Sequence, residues 1–169
     1  EEVSERSGLS SEQITRIEEN RELPALALLL KIARALGVRL GTFLDGQEET
    51  GPVVCRRAER EKKVCFSTHS AQAKRHMEYH SLSGSKANRH MEPFMIDIEP
   101  SPESGFVLSS HEGEEFILVM EGTVEVNYGK NNYLLQPGDN IYYDSIVPHH
   151  VHAYGEEKAR IMAVVYIPV

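Results

Sequence analysis

Long apolar runs are missing from this chain: runs such as Ala25 to Leu30 fall far short of the roughly 18 residues that a membrane span needs. The first residues are acidic, so they lack the basic start and apolar stretch of a secretory signal. Cysteine is scarce, with Cys55 and Cys65 alone among 169 residues. Neither metal-ligand spacing nor the density of a secreted disulfide scaffold is present, which points to the cytoplasm. An excess of positive charge is missing too. The 18 Lys and Arg face 26 Asp and Glu for a net charge of -8, which argues against a broad nucleic-acid surface. The 12 Gly and 8 Pro are too few for a collagenous or low-complexity chain. What is there, 40% hydrophobic and 26% charged residues, describes a globular protein of one or two domains.

The net charge hides a division along the chain. Residues 1–50 hold 6 basic and 10 acidic residues, residues 51–63 hold 5 and 2, and residues 64–169 hold 7 and 14. A basic stretch, Arg56, Arg57, Arg60, Lys62 and Lys63, therefore lies between two acidic bodies, where an interdomain linker belongs. The sequence divides into residues 1–48, a linker over 49–66 and a second domain over 67–169.

The hydrophobic period changes at the same boundary. Before it, Ile14 and Ile17, then Leu26, Leu29, Leu30, Ala33 and Leu36 recur at helical spacing. After it, Phe94, Ile96 and Ile98, and then Val124, Val126 and Tyr128 against Thr123, Glu125 and Asn127, alternate with the period of half-buried strands. Turn signals recur at Ser83-Gly84, Pro100 to Pro102, Glu121-Gly122, Tyr128-Gly129, Pro137-Gly138 and Tyr154-Gly155. Many short, evenly spaced strands predict a sandwich or small barrel. The segments Arg75-His76-Met77-Glu78 and Arg89-His90-Met91-Glu92 share four letters. Their neighbours differ, so coincidence or paired strands explains them better than a repeat architecture.

In the first half, Ser10 is a good N-cap for a helix over Ser11 to Glu18, with Gln13 placed to complete a capping box. Pro24 preorganises a second helix, Ala25 to Leu36, which Gly37 ends. The whole string from Val3 to Leu44, with its Gly8-led turn, Ile14-x-x-Ile17-Glu18, Pro24 and Leu29-x-x-Ile32-Ala33-x-x-Leu36-Gly37-Val38, resembles the phage-repressor-like helix-turn-helix of the xenobiotic-response-element regulators. Members of that family carry a further helix before this point, so the sequence is expected to begin inside the domain. The resemblance implies that the helix starting at Ser11 enters the major groove. Ser11, Glu12, Gln13 and Arg16 would then face bases, and Ser10 and Arg21 would meet phosphate. Arg16 and Gln13 carry the donors that guanine and adenine edges accept.

All 8 histidines, at 69, 76, 80, 90, 111, 149, 150 and 152, fall in the strand half. Such a cluster invites a metal reading, although most of them are expected at the surface or in interfaces. His111 and Glu115 can converge if the Gly113 turn folds one strand end over a barrel mouth, and His149 begins a later strand. Two imidazoles and one carboxylate form the facial set of non-haem iron proteins, and without sulfur they suit Fe, Mn, Ni or Zn. His111-x3-Glu115-x6-Gly122 and Pro137-Gly138-Asp139 through Pro148-His149 resemble the two motifs of the cupins over residues 75–167. That resemblance implies an all-β double-stranded β-helix, or jelly-roll, barrel. The chain departs from the motifs at Ser109, where cupins have another histidine, and at Ala153, where they have an asparagine. Three protein ligands are left.

A repressor-like head joined to a cupin is the layout of one-component regulators. It implies a non-enzyme whose barrel senses a small-molecule effector, whose head grips operator DNA, and which acts as a homodimer with no membrane partner. The chain also resembles the hydroxypropylphosphonate epoxidases, mononuclear iron cupins with an N-terminal helix-turn-helix, and an iron-dependent oxidoreductase is the alternative. Tyr79 falls where those enzymes have a pocket tyrosine, so Tyr79 and Ser109 are expected in the effector pocket. Leu108 and the last strand, Ile161 to Ile167 with only Tyr166, lack the polar groups that a phosphonate pocket wants.

Overall fold

In the computed structural model, residues 2–19, 21, 24, 26–44, 49–59, 64–66, 77–100 and 108–167 are described. The chain opens with helices α1 (Glu2–Ser7), α2 (Ser11–Glu18), α3 (Leu26–Leu36) and α4 (Gly41–Leu44). Gly8, at φ +70°, turns the chain between α1 and α2, a backbone conformation that costs glycine little. The Ser10 hydroxyl accepts the Gln13 N–H at 3.2 Å, which satisfies one of the orphan donors at the start of α2. Helix α3 buries Ala27, Leu30, Ile32, Ala33 and Ala35. Of the expected stripe only Leu30 and Ala33 are among them, while Leu26 and Leu29 are half-buried and Leu36 is exposed, because the head packs around more than one face of this helix. It stops where Gly37 takes φ +68° and the Val38 N–H reaches back to the Ala33 carbonyl at 2.9 Å. Ala25, the expected start of this helix, lies outside the described residues. Helices α1 and α4 did not register in the periodicity, because each is two turns or less.

The second half is antiparallel β structure. Its strands are β1 (Val64–Phe66), β2 (Met77–Ser81), β3 (Met91–Ile98), β4 (Glu114–Glu121), β5 (Val124–Tyr128), β6 (Asn131–Leu135), β7 (Asn140–Asp144), β8 (His149–Ala153) and β9 (Ala159–Tyr166). They form a six-stranded sheet in the order β1-β2-β3-β9-β4-β7 and a three-stranded sheet in the order β6-β5-β8. Because β3 and β4 both pair with β9, and β5 with β8, strands distant in sequence become neighbours. That is the connectivity of a jelly roll. The two facing sheets enclose Phe94, Ile98, Ile117, Val119, Val124, Val126, Ile161 and Val165, all at most 2% exposed. Each such side chain removed from water contributes about 1.5–3 kcal/mol before entropy is charged against it. The architecture is therefore an all-α head followed by an all-β barrel, as the change of period predicts.

The head rests on the barrel. Leu30 and Leu40 belong to the same buried cluster as the barrel core, with Leu26, Leu29 and Ile167 packed against it. Arg39 Nη1 donates to the Arg89 carbonyl at 3.1 Å, and Arg34 pairs with Glu112. Within the expected linker, Glu49 bridges to the loop before β3, its N–H on Ser85 O at 2.7 Å, while Val64–Phe66 form β1. Arg56 and Arg57 are exposed, and Arg60, Lys62 and Lys63 lie outside the described residues. The two four-letter segments fall partly in β2 and β3, which pair, but Met77 stands opposite Ile98 and Met91 opposite Tyr166. The described residues of the two segments do not face one another. Among the described residues no helix is long and apolar enough to cross a membrane.

Candidate metal centre

Glu115, His111 and His149 meet at one end of the barrel. Glu115 is the second residue of β4 and points inward, opposite Tyr143 on one side and Val165 on the other. His149 opens β8. Its backbone exchanges two hydrogen bonds of 2.9 Å with Ser109, stitching the segment before β4 to the start of β8. Between His111 and β4 the chain turns at Gly113, with φ +105° and a position where a Cβ would stand 2.0 Å from the Tyr166 carbonyl oxygen. Only glycine fits there, and the turn carries His111 back over the barrel mouth as the sequence requires.

The three side chains are buried at 5–8% exposure, and their ligating atoms lie within 4.8 Å of one another. His111 Nε2 is 2.8 Å and His149 Nε2 3.3 Å from the same oxygen, Glu115 Oε1. Each imidazole's other nitrogen faces a backbone carbonyl: His111 Nδ1 is 3.0 Å from Glu112 O, and His149 Nδ1 is 2.9 Å from Val147 O. Carbonyl oxygens only accept, so both Nδ1 atoms carry hydrogen and both Nε2 atoms are turned toward the carboxylate. Burial works to raise the Glu115 carboxyl. Hydrogen bonds and charge from His111 and His149 outweigh it and hold that group well below the usual carboxylate range. Burial depresses the His149 imidazole, but the Glu115 hydrogen bond and charge and the Val147 carbonyl win, and the net shift is upward. An anionic oxygen facing two inward nitrogens in a dry site needs positive charge beside it, from protonated imidazole or from a cation held between the three groups. A divalent cation supplies it, and the residues present fit one, with two or three coordination positions left for water or an oxygen donor.

Two supporting residues were missed by sequence reasoning. Tyr143 donates to Glu115 Oε2 at 2.8 Å and Ser145 to Glu115 Oε1 at 3.2 Å. Together they fix the carboxylate plane, as partners behind a metal ligand do. No local sequence signal marks them, because only the β4–β7 register sets Tyr143 directly across from Glu115. Burial and the Glu115 charge push the Tyr143 hydroxyl well above its ordinary value, so it stays a donor.

Of the expected pocket residues, Tyr79 stands on β2 against Phe94 with ring centroids 5.7 Å apart, its hydroxyl 3.4 Å from Met77 Sδ. Burial and then the charge of Glu115 raise its phenol. Ser109 is half-buried and acts through its backbone on His149 rather than as a ligand. Leu108 and Tyr166 are exposed and do not bear on pocket polarity. Of the other histidines, His69 and His76 lie outside the described residues, and His90 is exposed. His150 and His152 stack half-buried with centroids 5.5 Å apart. His80 joins a second potential ligand group with Glu78 and Asp97, all half-buried. There Arg160 Nε stands 2.6 Å from Asp97 Oδ1, so a cation of the chain already occupies that carboxylate.

On the head, Ser10, Ser11, Glu12, Arg16 and Arg21 are exposed and Gln13 is half-buried. Helix α2 buries none of its residues. Arg16 leans on Glu12 at 3.3 Å and Arg21 on Glu19 at 3.0 Å. Such exposed pairs cost little to open when a phosphate or base edge offers better contacts.

Residues 1–43 match the family described as Helix-turn-helix and residues 94–165 the family described as Cupin domain. An HTH_3 family transcriptional regulator from Vibrio cholerae is similar in structure at 24% identity and a TM-score of 0.67, covering 99% of this chain and 85% of that one. Hydroxypropylphosphonic acid epoxidase from S. wedmorenis, at 24% identity, gives a TM-score of 0.52 alone and 0.54 in complex with fosfomycin. Each of these covers 97% of this chain and 87% of that one. At such identity these likenesses speak for the fold. No curated protein matches the chain in sequence. The two family matches carry the identification: the chain joins a phage-repressor-like helix-turn-helix domain to a cupin domain, the composition of a DNA-binding regulator with a cupin domain.

Proposed function

We propose that the protein is a cytoplasmic transcriptional regulator whose residues 1–48 bind operator DNA, whose residues 49–66 link, and whose residues 67–169 sense a small-molecule effector. In this reading His111, Glu115 and His149 hold a divalent metal, Fe, Mn, Ni or Zn, and an effector with an oxygen donor fills its open positions. Ser11, Glu12, Gln13 and Arg16 face bases, and Ser10 and Arg21 contact phosphate. Tyr79 and Ser109 belong to the effector pocket, and two copies pair so that both heads reach successive major grooves.

The observation that carries this reading is the pairing of an unburied, N-capped α2 with a buried three-ligand centre in one chain. It is tested with DNA selected from a random pool and with Fe(II), Mn(II), Ni(II) and Zn(II). One metal binds per chain and is lost in His149→Ala, and Arg16→Ala weakens the selected operator by about 1–3 kcal/mol with the barrel intact. Operator binding unchanged in Arg16→Ala removes that residue from the interface, and metal binding unchanged in His149→Ala removes the metal reading. The two-histidine, one-carboxylate set is also that of iron oxygenases, which supports the second reading of an iron-dependent oxidoreductase. Oxygen consumption by the Fe(II)-loaded protein with candidate substrates favours it, and its absence favours the sensor.

A further inference from the structure

A cleft of about 550 Å³ lies over the barrel mouth, and the head and the barrel each supply a wall. Arg6 of α1 and Lys31 and Arg34 of α3 come from the head, while Ser110, His111 and Ile146 come from the barrel. In a chain of net charge -8, these cations are a local reversal of sign. The carboxylate that lines the cleft with them, Glu112, is already paired with Arg34. Among the described residues Arg6 has only an exposed ionic contact of 3.8 Å, to Glu2, a weak interaction in water. Lys31 is exposed and has no ionic partner among the described residues. His111 belongs to both the cleft and the Glu115 centre, so an anion seated among the cations also reaches the edge of that centre.

We propose that this cleft binds a small anion of the carboxylate or phosphate class, gripped by Lys31, Arg34 and Arg6 from the head and by Ser110 and the His111 end of the barrel. The apolar share of the walls, from Leu30, Ala35, Ile146 and Ile167, suits a short hydrocarbon part on the same molecule. This deepens the reading of the barrel as an effector sensor and rests on it. The site exists only while α1 and α3 sit on the barrel, so the anion binds that arrangement and no other. By differential affinity it holds the DNA-binding head in the seated position.

The test uses the full chain, titrated with inorganic phosphate and separately with glutarate at ionic strength balanced with chloride, and followed by calorimetry and hydrogen exchange. The expected result is saturable one-to-one binding of at least one of these anions. Exchange slows both in α3 and in residues 109–112, and affinity falls by at least about tenfold in Lys31→Glu. Titration with Zn(II) in parallel separates this inference from the metal reading. Lys31→Glu keeps its metal stoichiometry while losing the anion, whereas His149→Ala loses the metal. Anion binding to a wild type that takes up no metal leaves the cleft standing and removes only the metal. No saturable binding of either anion, slowed exchange confined to the barrel, or Lys31→Glu binding as wild type overturns the proposal.

Discussion

Glu115 shows how few contacts decide the chemistry of a buried carboxylate. It meets two imidazoles, one phenol and one hydroxyl within 3.3 Å, and the imidazoles keep it ionised where burial alone would neutralise it. Removing the phenol while keeping the ring isolates one of these effects. Tyr143→Phe is expected to leave the barrel folded and to weaken Zn(II) binding by about 10–100-fold, as loss of a hydrogen bond behind a ligand does. Competition against a chromophoric chelator measures it, and an affinity equal to wild type removes Tyr143 from the centre. The ligands themselves were legible in the sequence, because the spacing from His111 to Glu115 to Gly122 reflects a turn and a strand. Tyr143 and Ser145 were not, because their contacts with Glu115 come from strand pairing across 28 and 30 positions.

A second residue carries a pH dependence of known sign. Burial raises the Asp97 carboxyl, but hydrogen bonds and charge from Arg160 and then His80 outweigh it, and the net shift is downward from 3.8. A carboxyl depressed in the folded state stabilises fully above its unfolded value, and that contribution is lost as pH falls through the folded value. The urea midpoint of the wild type should therefore drop as pH falls from about 4 through the depressed folded value, and Asp97→Asn should flatten that drop. An equal slope in the two proteins assigns the acid sensitivity to other groups.

Among the elements, the strands were the most legible and the shortest helices the least. Strands β3 and β9 each alternate buried positions with half-buried or exposed ones. In β3 the sequence shows this at Phe94, Ile96 and Ile98, whereas in β9 the apolar Met162 and Val164 hide it. Helix α1 has 6 residues and buries none of them, so its sequence carries no stripe to read. The cap of α2 was legible because Ser10 and Gln13 are local. The Ser10 hydroxyl accepts one N–H, so Ser10→Ala should cost the head about 1 kcal/mol. The loss should appear as faster hydrogen exchange in α2 with exchange in β3 and β9 unchanged. Equal exchange in α2 means that the cap adds nothing to the stability of that helix.

Across the whole molecule, the sequence marked the change from helix to strand but not the seating of the head on the barrel, which rests on Leu30, Leu40 and the Arg34–Glu112 pair. The faces still open to water set the last expectation. Strand β6 is an edge of the smaller sheet and β7 an edge of the larger one. Between them they expose Tyr133, Leu134 and Tyr142, the last at 62%. Unpaired edges beside apolar side chains are poorly suited to remain in water, and pairing with a second copy about a two-fold axis would cover them. Light scattering at micromolar concentration should give twice the chain mass of 19.0 kDa, independent of metal. The double variant Leu134→Asp, Tyr142→Lys should run as a folded monomer that grips only one operator half and therefore binds DNA more weakly. A wild type that scatters as a single chain overturns the homodimer, and a double variant that stays dimeric places the interface on another face of the barrel.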